Sequence, residues 1–105
     1  MDQLRDLYVA FNARDLDVLL GAMTEDVDWP NAWEGGRLHG REAVREYWTR
    51  QWAAIDSRVD AVGFEKREDG RVAVLVDQTV DGSPAGRVTH VYAFRDGLIA
   101  RMDVE

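Results

Sequence analysis

From about residue 58 the hydrophobic period of the chain changes to two, and no other feature constrains the fold more tightly. Upstream of that point apolar residues recur every three or four positions. Leu4, Leu7, Tyr8 and Phe11 mark an amphipathic helix over about residues 3–13. Leu16, Leu19, Leu20 and Met23 repeat the spacing in a shorter helix, with Asp15 as its N-cap. A third helix begins near Arg41. Val44, Tyr47, Trp48, Gln51, Trp52 and Ile55 share one face of it, and Arg41, Glu42, Arg45, Glu46 and Arg50 lie largely on the other. Downstream the apolar residues alternate. Asp69-Gly70 and Asp96-Gly97 read as hairpin turns, because glycine accepts the positive φ such turns need. The segment Asp81-Gly82-Ser83-Pro84-Ala85-Gly86 reads as a longer turn between them. These turns delimit strands over about 58–68, 71–80, 87–95 and 98–104. Val27-Asp28-Trp29 reads as a short strand stopped by Pro30, and residues 30–40 as a loop carrying Gly35-Gly36.

The expected architecture is α+β, with three N-terminal helices packed on a curved antiparallel sheet. The 105 residues fit one domain, 1–105, and 46% hydrophobic content suffices for a core. A net charge of −7 opposes nucleic-acid binding. No apolar run approaches the roughly 18 residues of a membrane span, so no membrane partner is expected. The N-terminus lacks a signal-peptide pattern, which points to the cytoplasm. The absence of cysteine excludes disulfides, thiolate catalysis and Cys-based zinc sites. His39 and His90 are the only histidines and come from different elements, so no metal site is expected.

All four tryptophans fall between positions 29 and 52: Trp29, Trp33, Trp48 and Trp52. They are read either as core filling or as a wall that grips a flat or apolar ligand. Strand alternation suggests what faces them. Val72, Val74, Val76, Gln78 and Val80 share one face of their strand, and Val88, His90, Tyr92 and Phe94 share one face of the next. Ala100, Met102 and Val104 share a face of the last. Gln78 and His90 are the polar residues in these sets. With a turn centred near Pro84 they should lie opposite each other across the ladder. They are either a structural pair or a pair of ligand contacts. Tyr92 is expected to face inward, either donating its hydroxyl to ligand or to His90 or serving in packing alone. Asp28 and Asp103 are expected to face outward, Glu34 to lie on a loop able to close over the pocket, and His39 to be a loop or capping residue. On the back of the sheet Ala73, Leu75, Thr79, Thr89, Val91 and Ala93 make a partly apolar face that suits a homodimer.

Leu4–Phe11, Asp26-Val27-Asp28-Trp29-Pro30, Leu38-His39-Gly40-Arg41-Glu42-Ala43-Val44 and His90-Val91-Tyr92-Ala93-Phe94-Arg95-Asp96-Gly97-Leu98-Ile99 together resemble the nuclear transport factor 2-like superfamily, in its SnoaL-like, polyketide cyclase-like branch. The resemblance implies a cone-shaped α+β barrel around a pocket and a homodimer formed through the outer sheet face. It also implies a mixture of enzymes and non-enzymes, so fold alone assigns no activity. Set against ketosteroid isomerases, the general-base aspartate falls at Trp29, the helix tyrosine at Leu7, the second donor at His90 and a further tyrosine at Trp48. The inward strand positions lack the carboxylates and arginine that epoxide hydrolysis needs.

The leading expectation is a domain that binds a small hydrophobic molecule. Its pocket would be walled by Leu7, Phe11, Trp29, Trp48, Trp52, Val76, Tyr92, Phe94 and Met102, with Trp33 at the mouth and Gln78 and His90 as polar contacts. Chemistry there would be cofactor-free acid/base work on an apolar carbonyl compound with His90 as proton carrier. The alternatives are a non-catalytic homodimer with a filled core and a protein-interaction module.

Overall fold

The computed structural model describes residues 2–105. Helix α1 spans Asp2–Asn12 and buries Leu4, Leu7, Tyr8 and Ala10. Helix α2, Leu16–Gly21, starts at Asp15, whose carboxylate accepts the Val18 N–H as an N-cap. Helix α3, Arg41–Ala54, buries Val44, Tyr47 and Trp48. The strands are β1 Met23–Pro30, β2 Arg37–His39, β3 Ser57–Lys66, β4 Val72–Val80, β5 Ser83–Arg95 and β6 Leu98–Val104. They form one curved, open sheet in the order β2-β1-β6-β5-β4-β3. The three helices supply apolar stripes that one face of this sheet requires. Among the described residues no helix is long and apolar enough to cross a membrane.

The sheet departs from the expected all-antiparallel one at a single seam, where β1 runs parallel to β6. The chain passes through β2 and α3 after β1, so β1 reaches β6 by a crossover, which parallel pairing demands. Strand β1 is also longer than the three residues read from the sequence. The segment taken as loop contains β2, which pairs Leu38 with Trp29 and His39 with Asp28. Three residues are too few to show a period of two.

The turns explain the register. Asp96 and Gly97 both have positive φ (54° and 79°), as a two-residue hairpin turn of primed type requires. Asp81 and Gly82 do the same (51° and 82°), so the second hairpin is tight and β5 begins at Ser83. Ala85 is then accommodated as a bulge, because Thr79 faces Pro84 while Gln78 faces Gly86. His90 therefore lies opposite Val74, and the expected Gln78–His90 pairing does not occur. A second irregularity pairs Phe94 with Ile99 but Ala93 with Arg101. Ala100 is the extra residue there, and Ile99, not Ala100, becomes fully buried.

The core beneath the helices is built from Leu19, Met23, Val27, Val44, Val74, Val76, Tyr92 and Ile99, each almost completely buried. Gly40 joins β2 to α3. Its φ of 90° and ψ of 157° lie in a region open essentially to glycine alone, and a Cβ would stand 3.4 Å from the Glu25 carbonyl oxygen. Gly40→Ala is expected to destabilise the protein by about 1–3 kcal/mol in chemical denaturation.

Candidate functional site

Between the helices and the concave sheet face lies a cavity of about 330 Å³. α1 contributes Leu7, Tyr8 and Phe11, α2 Leu19, α3 Tyr47, Trp48 and Gln51, and β1 Trp29 and Pro30. The sheet adds Ser57, Val59, Gln78, Val88, His90, Tyr92, Met102 and Val104. None of the lining residues carries a permanent charge. Clusters of His, Cys, Asp or Glu able to hold a metal are absent among the described residues.

The aromatic wall is a run of touching rings. Trp29 meets Trp48 edge-on at 5.5 Å between centroids, and Phe11 meets Trp48 edge-on at 5.6 Å. Both are favoured geometries for quadrupolar rings. Trp52 stacks behind Trp48 at 5.9 Å and does not line the cavity. Its outer side is covered by the Arg14 guanidinium, 5.1 Å from the ring centre. Arg14 also donates to the Ser57 carbonyl and the Asp56 carboxylate, so it ties the end of α1 to the start of β3.

Two other residues expected in the wall lie elsewhere. Val76 is fully buried in the core, and Phe94 packs against that core near the far hairpin. Trp33 is 41% exposed on the loop after β1. Its backbone N–H donates to the Tyr47 hydroxyl at 3.2 Å, and the Gln51 amide donates to the same oxygen. Glu34 is held at this rim by Asn31 and Arg50 rather than free to close. The two hydrogen bonds, Asn31 first, hold its carboxyl below the usual range. Asp28 and Asp103 face outward as expected. Arg37 and Arg101 bind both, and Arg37 donates as well to the Asp28 and Met102 carbonyls. His39 is exposed in β2, 4.0 Å from Asp28.

The polar end of the cavity is a hydrogen-bonded chain. The Tyr8 hydroxyl lies 2.9 Å from His90 Nδ1 and 2.6 Å from the Tyr92 hydroxyl. The Tyr92 hydroxyl thus bonds to Tyr8 and not to His90, whose ring it meets edge-on. Tyr8 was legible in the sequence only as one more member of an apolar helix stripe. Leu7, the position the resemblance sets against the helix tyrosine, presents only a hydrocarbon to the cavity, while its neighbour Tyr8 supplies a hydroxyl. Burial pushes the phenols of Tyr8 and Tyr92 well above their ordinary range, so both stay protonated. Burial also lowers His90 to about 4, so its imidazole is neutral at pH 7. Among the described residues His90 Nε2 has no protein partner, and it is reachable from the cavity.

The chain matches the SnoaL-like domain model over residues 4–102, and it belongs to that family. No curated protein sequence matches closely enough to count as a relative. Among solved structures, a nuclear transport factor 2-like protein of unknown function from Burkholderia pseudomallei is 27% identical, with a TM-score of 0.85 over 100% of this chain and 88% of that one. A protein described as a possible polyketide cyclase from Sinorhizobium meliloti is 22% identical, with a TM-score of 0.86 over 100% and 94%. TerC, crystallised with polyporic acid, is 24% identical, with a TM-score of 0.83 over 99% and 88%. The neighbours below one quarter identity speak for the fold alone.

The buried histidine gives the folded protein a pH dependence of definite sign. Its pKa is lower folded (about 4) than unfolded (6.5), so between these values the unfolded chain binds more protons. Stability should be full above about pH 6.5 and fall as the pH drops toward 4, by about 3 kcal/mol in all. Denaturant titrations across this window should show that slope, and His90→Asn should flatten it.

Proposed function

We propose that the domain binds a small, largely apolar carbonyl compound in the cavity, with His90 as its principal polar contact. The observation that carries this reading is the reachable imidazole nitrogen in a cavity whose lining is mainly aromatic and aliphatic and carries no permanent charge. A volume of about 330 Å³ is within the range of small-molecule sites and too large for a packing defect. That argues against a filled core. The S. meliloti and TerC structures are consistent with small-molecule use of this fold, as their names indicate.

Acid/base turnover through His90 without a cofactor is the second reading. An imidazole that is protonated only near pH 4 polarises a carbonyl by hydrogen bonding more readily than it removes a proton at pH 7. Binding is therefore the primary reading. The cytoplasm is the compartment proposed for it.

Tryptophan fluorescence tests the proposal, because Trp29 and Trp48 line the cavity. Hydrophobic carbonyl compounds should quench or shift it saturably. His90→Ala should weaken that binding about five- to tenfold, the worth of one hydrogen bond, and abolish any turnover. A flat response across a diverse set of such compounds would sink the reading.

The homodimer is proposed through the outer sheet face. Val91 and Ala73 are already buried within the monomer, which leaves Leu75 and Val62 as the exposed apolar contacts there. Light scattering should give the mass of a dimer, and Leu75→Arg should give that of a monomer.

A further inference from the structure

We infer that the cavity selects a ligand whose buried end is a bare hydrogen-bond acceptor, a ketone or aldehyde, over the matched alcohol, because the Tyr92–Tyr8–His90 chain reaches the cavity at His90 Nε2 as a donor. The inference rests on the binding reading above and narrows it.

The two links of the chain can run in either direction. In one, Tyr92 donates to Tyr8, Tyr8 donates to His90 Nδ1, and the imidazole proton sits on Nε2. Every donor inside the protein then has an acceptor, and the Nε2–H faces the cavity. In the other, Nδ1–H donates to Tyr8 and Tyr8 donates to Tyr92. The Tyr92 O–H is then left over. Tyr92 is 1% exposed, and no acceptor besides Tyr8 lies within hydrogen-bond reach among the described residues. A buried donor with no acceptor costs more than an unused lone pair. The chain therefore runs toward the cavity and presents an N–H.

A carbonyl accepts that N–H, and no group is left unpaired. An alcohol adds a donor as well as an acceptor. If it accepts from Nε2–H, its own O–H faces the aromatic wall. If it donates to Nε2, the chain reverses and Tyr92 loses its acceptor. One O–H is orphaned in both cases. Gln78 cannot rescue it, because it sits opposite Gly86, four residues along β5 from His90 and so about 13 Å away. Gln51 stands on α3, across the cavity from β5, and its amide is held there by the NH2 it donates to the Tyr47 hydroxyl. An orphaned buried hydroxyl corresponds to about 5- to 150-fold in affinity.

Benzophenone and benzhydrol differ only in this group and serve as probes. Nitrogen-15 NMR of the free protein at pH 7 reads the tautomer of His90 with no ligand present. The expected result is a neutral ring protonated on Nε2, and benzophenone bound about 5- to 150-fold more tightly than benzhydrol by calorimetry. His90→Leu should bring the two affinities together. A ring protonated on Nδ1 or on both nitrogens overturns the inference, as do equal affinities in the unsubstituted protein, and in those cases the binding site itself stands. If neither probe binds at any concentration up to its solubility, the binding reading fails and takes the inference with it.

Discussion

Large aromatic side chains hold α1 and α3 off the concave face of the sheet, and the site depends on that separation. Trp29 rises from β1 and meets the flank of Trp48 on α3, while Phe11 on α1 meets Trp48 from another side. Edge-to-face contact is a favoured geometry for such rings, and their bulk sets how near the helices come to the sheet. The space they leave is the cavity. Arg14 closes the stack from outside by covering Trp52 and binding the start of β3.

Much of this architecture was legible because it is written in period and punctuation. The Leu4–Phe11 stripe, the Asp15 cap and the alternation of β4 needed only local rules. What escaped was set by single residues whose effect is not local. The hairpin turns at Asp81-Gly82 rather than near Pro84, which separates Gln78 from His90, and bulges at Ala85 and Ala100 then shift the register, the second turning Ile99 inward. Each bulge is one extra residue, invisible to a pattern that counts in twos. Strand β2 is visible only once Leu38 is seen across from Trp29.

The same limit governed the site. His90 stood out as a polar residue on an apolar strand face. Tyr8 did not, because a tyrosine in an apolar helix stripe is indistinguishable from a packing residue until its hydroxyl is located. Packing α1 against β5 brings Tyr8, His90 and Tyr92 within bonding distance across more than 80 residues of chain. The polarity of the cavity is thus a tertiary property, although each of its members is a common residue in an ordinary element.

The open sheet has two edges, and both are blunted. β2 is only three residues long, and its Arg37 is tied inward to Asp28, Asp103 and two carbonyls of neighbouring strands. β3, at the opposite edge, carries Arg58, Asp60, Glu65 and Lys66 and is kinked at Val62, where the register shifts. Short, charged or bulged edges are poor templates for a further strand. The chain is therefore protected against cross-β stacking on either side, and an added strand would have to break an ion-pair lattice or flatten a bulge before it gained its first hydrogen bond.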